Sequence, residues 1–497
     1  MGADIRNEEF SRDEYLRFRA RLEQSLSVLT RLLERPGFGT GPATIGAELE
    51  LFLIDNAARP LPLNQAIRAA ADDPRVTVEV NRYNLEFNAS PVRLAGRPFG
   101  TLAAELDLLL AQVGTTVSAY GGRLALIGIL PTLRPADLQP GLMTDAARYR
   151  AMNQGLRRLR RAPFSIRIGG AEPLEWASEH LTPEGANTSF QVHLRVDPGD
   201  FTRTYNAVQL ATAPALAVSG NSPTFLGHRL WEETRIALFK QAVDDREGTG
   251  PRRSPARTAL GTGWARGGPV ELFAESVRLH QPVLPVMSDQ EPAPGGTGWS
   301  APALSELRLH QSTVWRWNRA IYDPAGGGHL RIEMRTLPSG PTVTDMVANA
   351  AFLLGLSLWL AGQDPRWTYA VPFERADNSF YRAAQDGLAA ELSWPGDRPD
   401  QMRTVRAADL IPELLPKARQ GLLEAGVAAD ETGRLLGVIS GRVTSGQTGA
   451  AWQRAALSAA QRRYGRERAL AAMLEGYLAN ADTGQPVHTW SPWSPAG

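Results

Sequence analysis

Four short stretches of this sequence place carboxylates, an imidazole and guanidinium groups at alternate positions. In Ile45-Gly-Ala-Glu-Leu-Glu-Leu-Phe-Leu, Glu48 and Glu50 alternate with Ala47, Leu49, Leu51 and Leu53. In Asn84-Leu-Glu-Phe-Asn, Leu85 and Phe87 flank Glu86. In the stretch 190–197, Phe190, Val192, Leu194 and Val196 alternate with Gln191, His193, Arg195 and Asp197. In 329–335, Leu330, Ile332 and Met334 alternate with His329, Arg331, Glu333 and Arg335. A strand sends successive side chains to opposite faces, so residues two apart lie about 7 Å from each other on one face. Each stretch therefore predicts a strand with one apolar and one ionisable face. An ordinary antiparallel sheet with a wet face has the same alternation. Two features point to chemistry instead. The Lys and Thr common on wet faces are nearly missing here. Two glutamates one pleat apart repel each other, and a divalent cation, which takes several carboxylate oxygens, is the usual remedy. The pattern reads as a sheet whose concave face holds metal and phosphate.

The rest of the sequence narrows the chemistry by exclusion. Among 497 residues, Lys+Arg number 53 and Asp+Glu 52, a net charge of +1 that lacks the basic footprint of a nucleic-acid binder. The chain has no cysteine, which excludes disulfides, iron–sulfur clusters, Cys-ligated zinc and a cysteine nucleophile. Its only lysines are Lys240 and Lys417. Neither follows a glycine, so there is no Walker A loop. G-x-S-x-G and H-E-x-x-H are also missing. A nucleotide would have to be handled with metals and arginines. The charged opening MGADIRNEEF is not expected to act as a signal peptide, and no membrane partner is expected.

The elements that must position these groups follow from periodicity. Helical spacing predicts a helix over 13–34, with Tyr15, Phe18, Leu22, Leu26, Leu29 and Leu33 on one face. Strands are predicted at 44–54, at 76–88 with a break near Asn81, at 123–130, at 189–196 and at 328–336. Helices are predicted at 102–117, 146–161, 203–218 and 230–242. The nearly all-apolar stretch 343–361 predicts a buried helix. Segments 248–268 and 288–302, rich in Gly, Pro and Arg, read as long loops, either lids or disordered insertions. We expect a catalytic domain over 1–400, a helical region over 401–480 and a loose tail over 481–497.

Taken together and in this order, the motifs are recognisable. Ile45-Gly-Ala-Glu-Leu-Glu resembles the opening glutamate pair of the glutamate–cysteine ligase superfamily. Val78-Glu-Val-Asn-Arg-Tyr-Asn-Leu-Glu-Phe resembles its second motif, with Glu79 where some members carry Asp. Arg148-Tyr-Arg-Ala-Met resembles its Arg-Tyr-x-x-Met helix, and Phe190-Gln-Val-His-Leu its His-bearing strand. Asn221-Ser-Pro, Thr234-Arg235 and Asp244-Asp-Arg246 resemble its arginine motif, and Arg331-Ile-Glu-Met-Arg its late Glu-x-Arg strand. The matches run over about residues 40–350.

The resemblance implies an α+β fold: a glutamine-synthetase-like curved antiparallel sheet, helices on its convex side, and the C-terminal helical region. It implies metal ligands Glu48, Glu50, Glu79, Glu86, His193 and Glu333, for Mg2+ or Mn2+. It implies that Arg335 and Glu333 are catalytic, and that Arg235, Arg331 and Asn187 bind substrates. The reaction implied joins glutamate to cysteine through a γ-glutamyl phosphate, with ATP as co-substrate. The same residues leave open a ligase using another amine, an inactive ATP- and metal-binding homologue, and a paired-carboxylate glycosidase. A cytoplasmic location is expected, and an oligomer is left open.

Overall fold

The computed structural model describes residues 5, 7–246, 255–289, 301–398 and 400–494. Its strands in chain order are β1 (Thr44–Asp55), β2 (Val76–Val78), β3 (Asn84–Asn88), β4 (Val92–Arg93), β5 (Gly122–Ala125), β6 (Phe164–Ile168), β7 (Leu174–Ser178), β8 (Phe190–Val196), β9 (Thr224–Phe225), β10 (His228–Arg229), β11 (Asn318–Asp323), β12 (His329–Met334), β13 (Glu391–Pro395) and β14 (Met402–Arg406). The main sheet runs β11-β12-β8-β1-β3-β2, with β4 and β5 also paired to β1. All its pairs are antiparallel, and it curls into a half-barrel.

The period-2 pattern decides what each face meets. Ala47, Leu49, Leu51, Leu85, Phe87, Val192, Leu194, Ile332 and Met334 are buried in one large core. That core includes the helices Pro98–Ala119, Phe201–Ser219, Val343–Ala361 and Ala407–Glu424. The opposite face of β1 changes character along its length. Glu48 and Glu50 are followed by Phe52 and Ile54, which are fully buried in a second core. This second core includes Trp452 and Leu457 of the helix Gly449–Gln461 and Leu474 and Tyr477 of Arg466–Ala481. The C-terminal helices thus cover the apolar end of the concave face and leave its charged part free.

Several expectations change. The strand expected at 123–130 ends at Ala125, opposite Phe52. Further along that edge of β1, Leu49 to Ile45 are already paired to β8, so β5 has no partner. The helix expected at 230–242 starts at Thr234. Residues 400–406 are not helical, because β14 pairs with β13. Residues 248–254 and 290–300 of the two expected loops lie outside the described residues. Much of 255–265 is buried: Arg257 is fully buried, as is Leu260, and Ala259 bridges to Arg316 ahead of β11. The end of the chain, expected to be loose, is packed as far as Trp493. Trp490 is buried edge-on against Trp452 and Tyr477, and Trp493 Nε1 donates to Ala472 O at 3.1 Å.

The helix Val343–Ala361 is long and apolar enough to cross a membrane, and it lies 83% buried at the centre of the large core. It crosses Ala407–Glu424 through two glycines. A methyl group on Gly355 would collide with Ala418 O, and one on Gly421 with Gly355 O. Both neighbours are backbone and cannot rotate aside. Gly421→Ala is therefore expected to cost about 1–3 kcal/mol of stability. Chemical denaturation checks this; an unchanged midpoint would mean that the helices do not meet at these glycines.

Candidate active site

Register brings the ionisable residues into rows across the concave face. Arg319 of β11 lies opposite Glu333 of β12, and Glu333 lies opposite His193 of β8. In the next row Gln191 lies opposite Glu48 of β1. Glu50 lies opposite Glu86 of β3, and Glu86 opposite Thr77 of β2. The chain breaks direction between β2 and β3, near Asn81, as its sequence suggests. Tyr149 Oη donates to Val78 O at 2.8 Å and holds β2 beside this face.

One group is built from Glu48, His193 and Glu333, whose ligand atoms all lie within 4.8 Å of one another. His193 Nε2 is 3.1 Å from Glu48 Oε1 and 3.9 Å from Glu333 Oε1. Neither contact is aligned as a hydrogen bond, and both ring nitrogens are buried without a partner. An imidazole lone pair beside two carboxylates suits a divalent ion, and the His favours manganese more than an all-oxygen site would. Glu333 is also held by arginine. Arg319 Nε and Nη2 reach its two oxygens at 2.8 and 3.0 Å, and Arg335 Nη1 donates to Oε2 at 3.2 Å. Burial alone would raise the pKa of Glu333; Arg319, Arg335 and His193 outweigh it, and the carboxyl lies well below the usual range. Burial also opposes the charge of Glu48, but His193 keeps its pKa below the ordinary value.

The second group has the opposite balance. Glu50, Glu79, Glu86 and Glu184 crowd together with few cations. Burial, then repulsion from Glu48 and Glu50, pushes Glu86 up to about 7. Burial, with Glu86, Glu50 and Glu184 nearby, lifts Glu79 well above the usual carboxylate range. Burial and the charge on Glu50 push Glu184 up to about 8. Glu50 is raised by burial, partly offset by Arg335 and Arg235. It accepts from Ser189 N at 2.7 Å and Gln191 Nε2 at 2.9 Å.

Glu50, Glu79 and Glu184 line a cleft with Arg235 and Arg335. Phe239 and Trp317 supply its apolar wall. Arg335 Nη1 donates to Gln191 Oε1 at 2.6 Å. Arg235 is only 2% exposed, not a surface residue. Glu233, at the N-terminal boundary of the Arg235 helix, accepts from Arg235 Nε at 3.1 Å, Ser222 Oγ at 2.7 Å and Asn221 N at 2.8 Å. Arg235 also donates to the carbonyls of Arg335 and Thr336. Asn221 Nδ2 in turn reaches Ser339 O and Tyr477 Oη. The Asn-Ser-Pro turn is thus the tie between Arg235 and a C-terminal helix.

Of the residues singled out in sequence, Glu48, His193 and Glu333 meet. Glu50, Glu79, Arg235, Arg335 and Asn187 line the cleft, and Glu86 faces Glu50. Arg331 does not line it: it lies opposite Arg195 and pairs with Asp323 at 3.5 Å, toward the other end of β12. Three residues were missed. Arg319 sits on β11, whose alternation in Asn318–Asp323 could have revealed it. Arg148, which lowers the pKa of Glu79 and Glu184, was inside a quoted motif. Glu184 lies on the one-turn helix Glu184–Ala186, where no periodicity marks it.

No curated protein matches the chain in sequence. Among solved structures, a glutamate–cysteine ligase from Francisella tularensis in complex with AMP aligns over 92% of this chain and 91% of its own. The TM-score is 0.56 and the identity 10%, a likeness of fold. A bifunctional glutathione synthetase from Pasteurella multocida aligns over 93% of this chain and 55% of its own, at 11% identity and a TM-score of 0.46. Residues 44–472 match the family described as glutamate-cysteine ligase family 2, GCS2. That span holds every strand of the concave sheet and both carboxylate groups, and the chain belongs to this family of ATP-dependent carboxylate–amine ligases.

Proposed function

We propose that the chain is a γ-glutamyl ligase that joins glutamate to cysteine. The observation that carries this reading is the polarity of one cleft. Carboxylates able to hold divalent cations and two arginines able to hold anions line the same space, beside the Glu48–His193–Glu333 group. A carboxylate is a poor acylating agent at neutral pH. Transfer of the terminal phosphoryl group of ATP to it gives an acyl phosphate, which an amine then attacks with loss of phosphate. The first step brings two anions together, so the site must cancel charge. Glu48, His193 and Glu333 would hold one Mg2+ or Mn2+, and Glu50, Glu79 and Glu86 another. When bound, these ions supply charge neutralisation along the phosphate chain.

The chain's own groups do the rest. Arg235, braced by Glu233, presents its guanidinium to the α-carboxylate of glutamate. Arg335 is positioned by Gln191 and Glu333 to meet the phosphoryl group in flight. Trp317 and Phe239 keep water from the acyl phosphate. Arg319 fixes Glu333 in one orientation.

Three outcomes are expected. First, Arg335→Lys keeps the charge but loses the planar fork, and turnover should fall roughly 10²-fold with glutamate affinity little changed. If only glutamate affinity falls, Arg335 belongs to the carboxylate pocket. Glu48→Gln should reduce turnover by a similar factor with an unchanged melting curve.

Second, the raised carboxylates make stability depend on pH and cation together. Glu86 and Glu184 have folded-state pKa values near 7 and 8 against 4.5 unfolded. Their contribution is fully present below 4.5 and is lost as pH rises through those values. Cation-free protein should therefore lose stability between about pH 5 and 8. Saturating Mn2+ or Mg2+ should flatten that slope. Urea titrations with and without cation check this, and parallel pH profiles would contradict it.

Third, phosphate release from ATP should require glutamate, an amine and a divalent cation together, with cysteine the best amine. The thiol-free analogue 2-aminobutyrate should also react, because nitrogen attacks. If only another amine works, the cysteine assignment falls. If no amine works while ATP and metal bind, the ligase assignment falls with it.

A further inference from the structure

The cleft contains acceptors that the two carboxylate–metal groups do not use. Asn187 is 7% exposed and lines the cleft. Its Nδ2 donates to Pro183 O at 3.1 Å and Glu184 O at 2.8 Å. Both partners are carbonyls, so the amide nitrogen must face them and Oδ1 is turned the other way. That oxygen is buried without a partner. Asn84 is 2% exposed, lines the same cleft, and has a partnerless buried Oδ1 as well. Glu184, on the turn that leads into Asn187, lines the same cleft.

A buried acceptor left unpaired costs free energy comparable to a lost hydrogen bond. Two such oxygens and a carboxylate in one cleft therefore call for a ligand with several N–H or O–H donors and a positive charge. A primary ammonium has three donors and one charge, which matches one carboxylate and two amide oxygens. A second divalent ion would be served less well, since two of the three oxygens are neutral. The guanidiniums of Arg235 and Arg335 line the same cleft, so it presents donors for an anion as well as acceptors for a cation. That is the complement of a zwitterion.

We propose that Glu184, with the Oδ1 atoms of Asn84 and Asn187, binds the α-ammonium of the acid substrate, and so restricts it to α-amino acids. The proposal rests on the ligase reading above and adds Glu184 as a specificity-determining residue. Nitrogen keeps its proton in this role: the ammonium is held away from the reacting γ-carboxylate and is not the nucleophile.

Glutarate is the probe, because it is glutamate without the α-amino group. Calorimetric titrations are made with glutamate and with glutarate, in the presence of Mg2+ and a non-hydrolysable ATP analogue. Wild type is expected to bind glutamate about 10- to 100-fold more tightly than glutarate. Glu184→Gln should lower glutamate affinity by a similar factor and leave glutarate affinity unchanged, so the preference collapses. Mn2+ binding of Glu184→Gln should match wild type. Wild type binding both acids equally would overturn the ammonium assignment while leaving the ligase reading intact. Equal loss of both acids in Glu184→Gln, or loss of Mn2+, would overturn it too, making Glu184 a metal ligand. Wild type binding neither acid while still binding nucleotide would overturn the ligase reading itself.

Discussion

Like-charge crowding on one sheet face is the constraint that the rest of this structure is arranged around. Glu50 and Glu86 are directly opposed on neighbouring strands, and Glu48, Glu79, Glu184 and Glu333 stand close by. Two unit charges about 5 Å apart in a setting of effective dielectric 20 repel by roughly 3 kcal/mol. The protein meets this in two ways. Glu333 is neutralised in place by Arg319 and Arg335 and stays ionised. Glu79, Glu86 and Glu184 have too few cations, so their carboxyls are driven toward the protonated form. The first balances the charge of Glu333 but leaves both ring nitrogens of His193 without a hydrogen-bond partner. The second is balanced only when a cation arrives.

The scaffold serves this asymmetry. One face of the sheet is largely apolar and sits on the helices of the large core. The other is apolar only beyond Glu50, where Phe52 and Ile54 meet the C-terminal helices. Those helices also reach the arginine side of the cleft: Tyr477 holds Asn221, whose turn supplies Ser222 and a backbone N–H to Glu233, and Glu233 fixes Arg235. A residue some 240 positions downstream thereby sets the direction of an arginine that lines the cleft. This gives the region after residue 401 a part in the site's geometry.

Strands β1, β3, β8 and β12 were legible because burial on one face imposes a period of two on the sequence. The same pattern put Glu48, Glu50, Glu86, His193, Glu333 and Arg335 on the ionisable faces, and the family resemblance singled them out there. Glu79 was legible only through its motif, since the break at Asn81 hides which face it joins. Where geometry depends on neighbours, the sequence is silent. Strand β5 stops because β8 already occupies the edge of β1. Arg331 shares a face with Glu333, yet Asp323 draws it to the far end of the strand. Glu184 lies on a single helical turn with no repeat to mark it. Trp490 and Trp493 follow a polar, proline-rich pattern that resembles a tail, and only the hydrophobic second core explains why they are packed.

Anomalous scattering from crystals grown with Mn2+ tests the central claim most directly, because it locates the cations without relying on turnover. The account predicts one peak among Glu48, His193 and Glu333 and a second among Glu50, Glu79 and Glu86. Manganese found only at surface carboxylates, with the concave face empty, would contradict it.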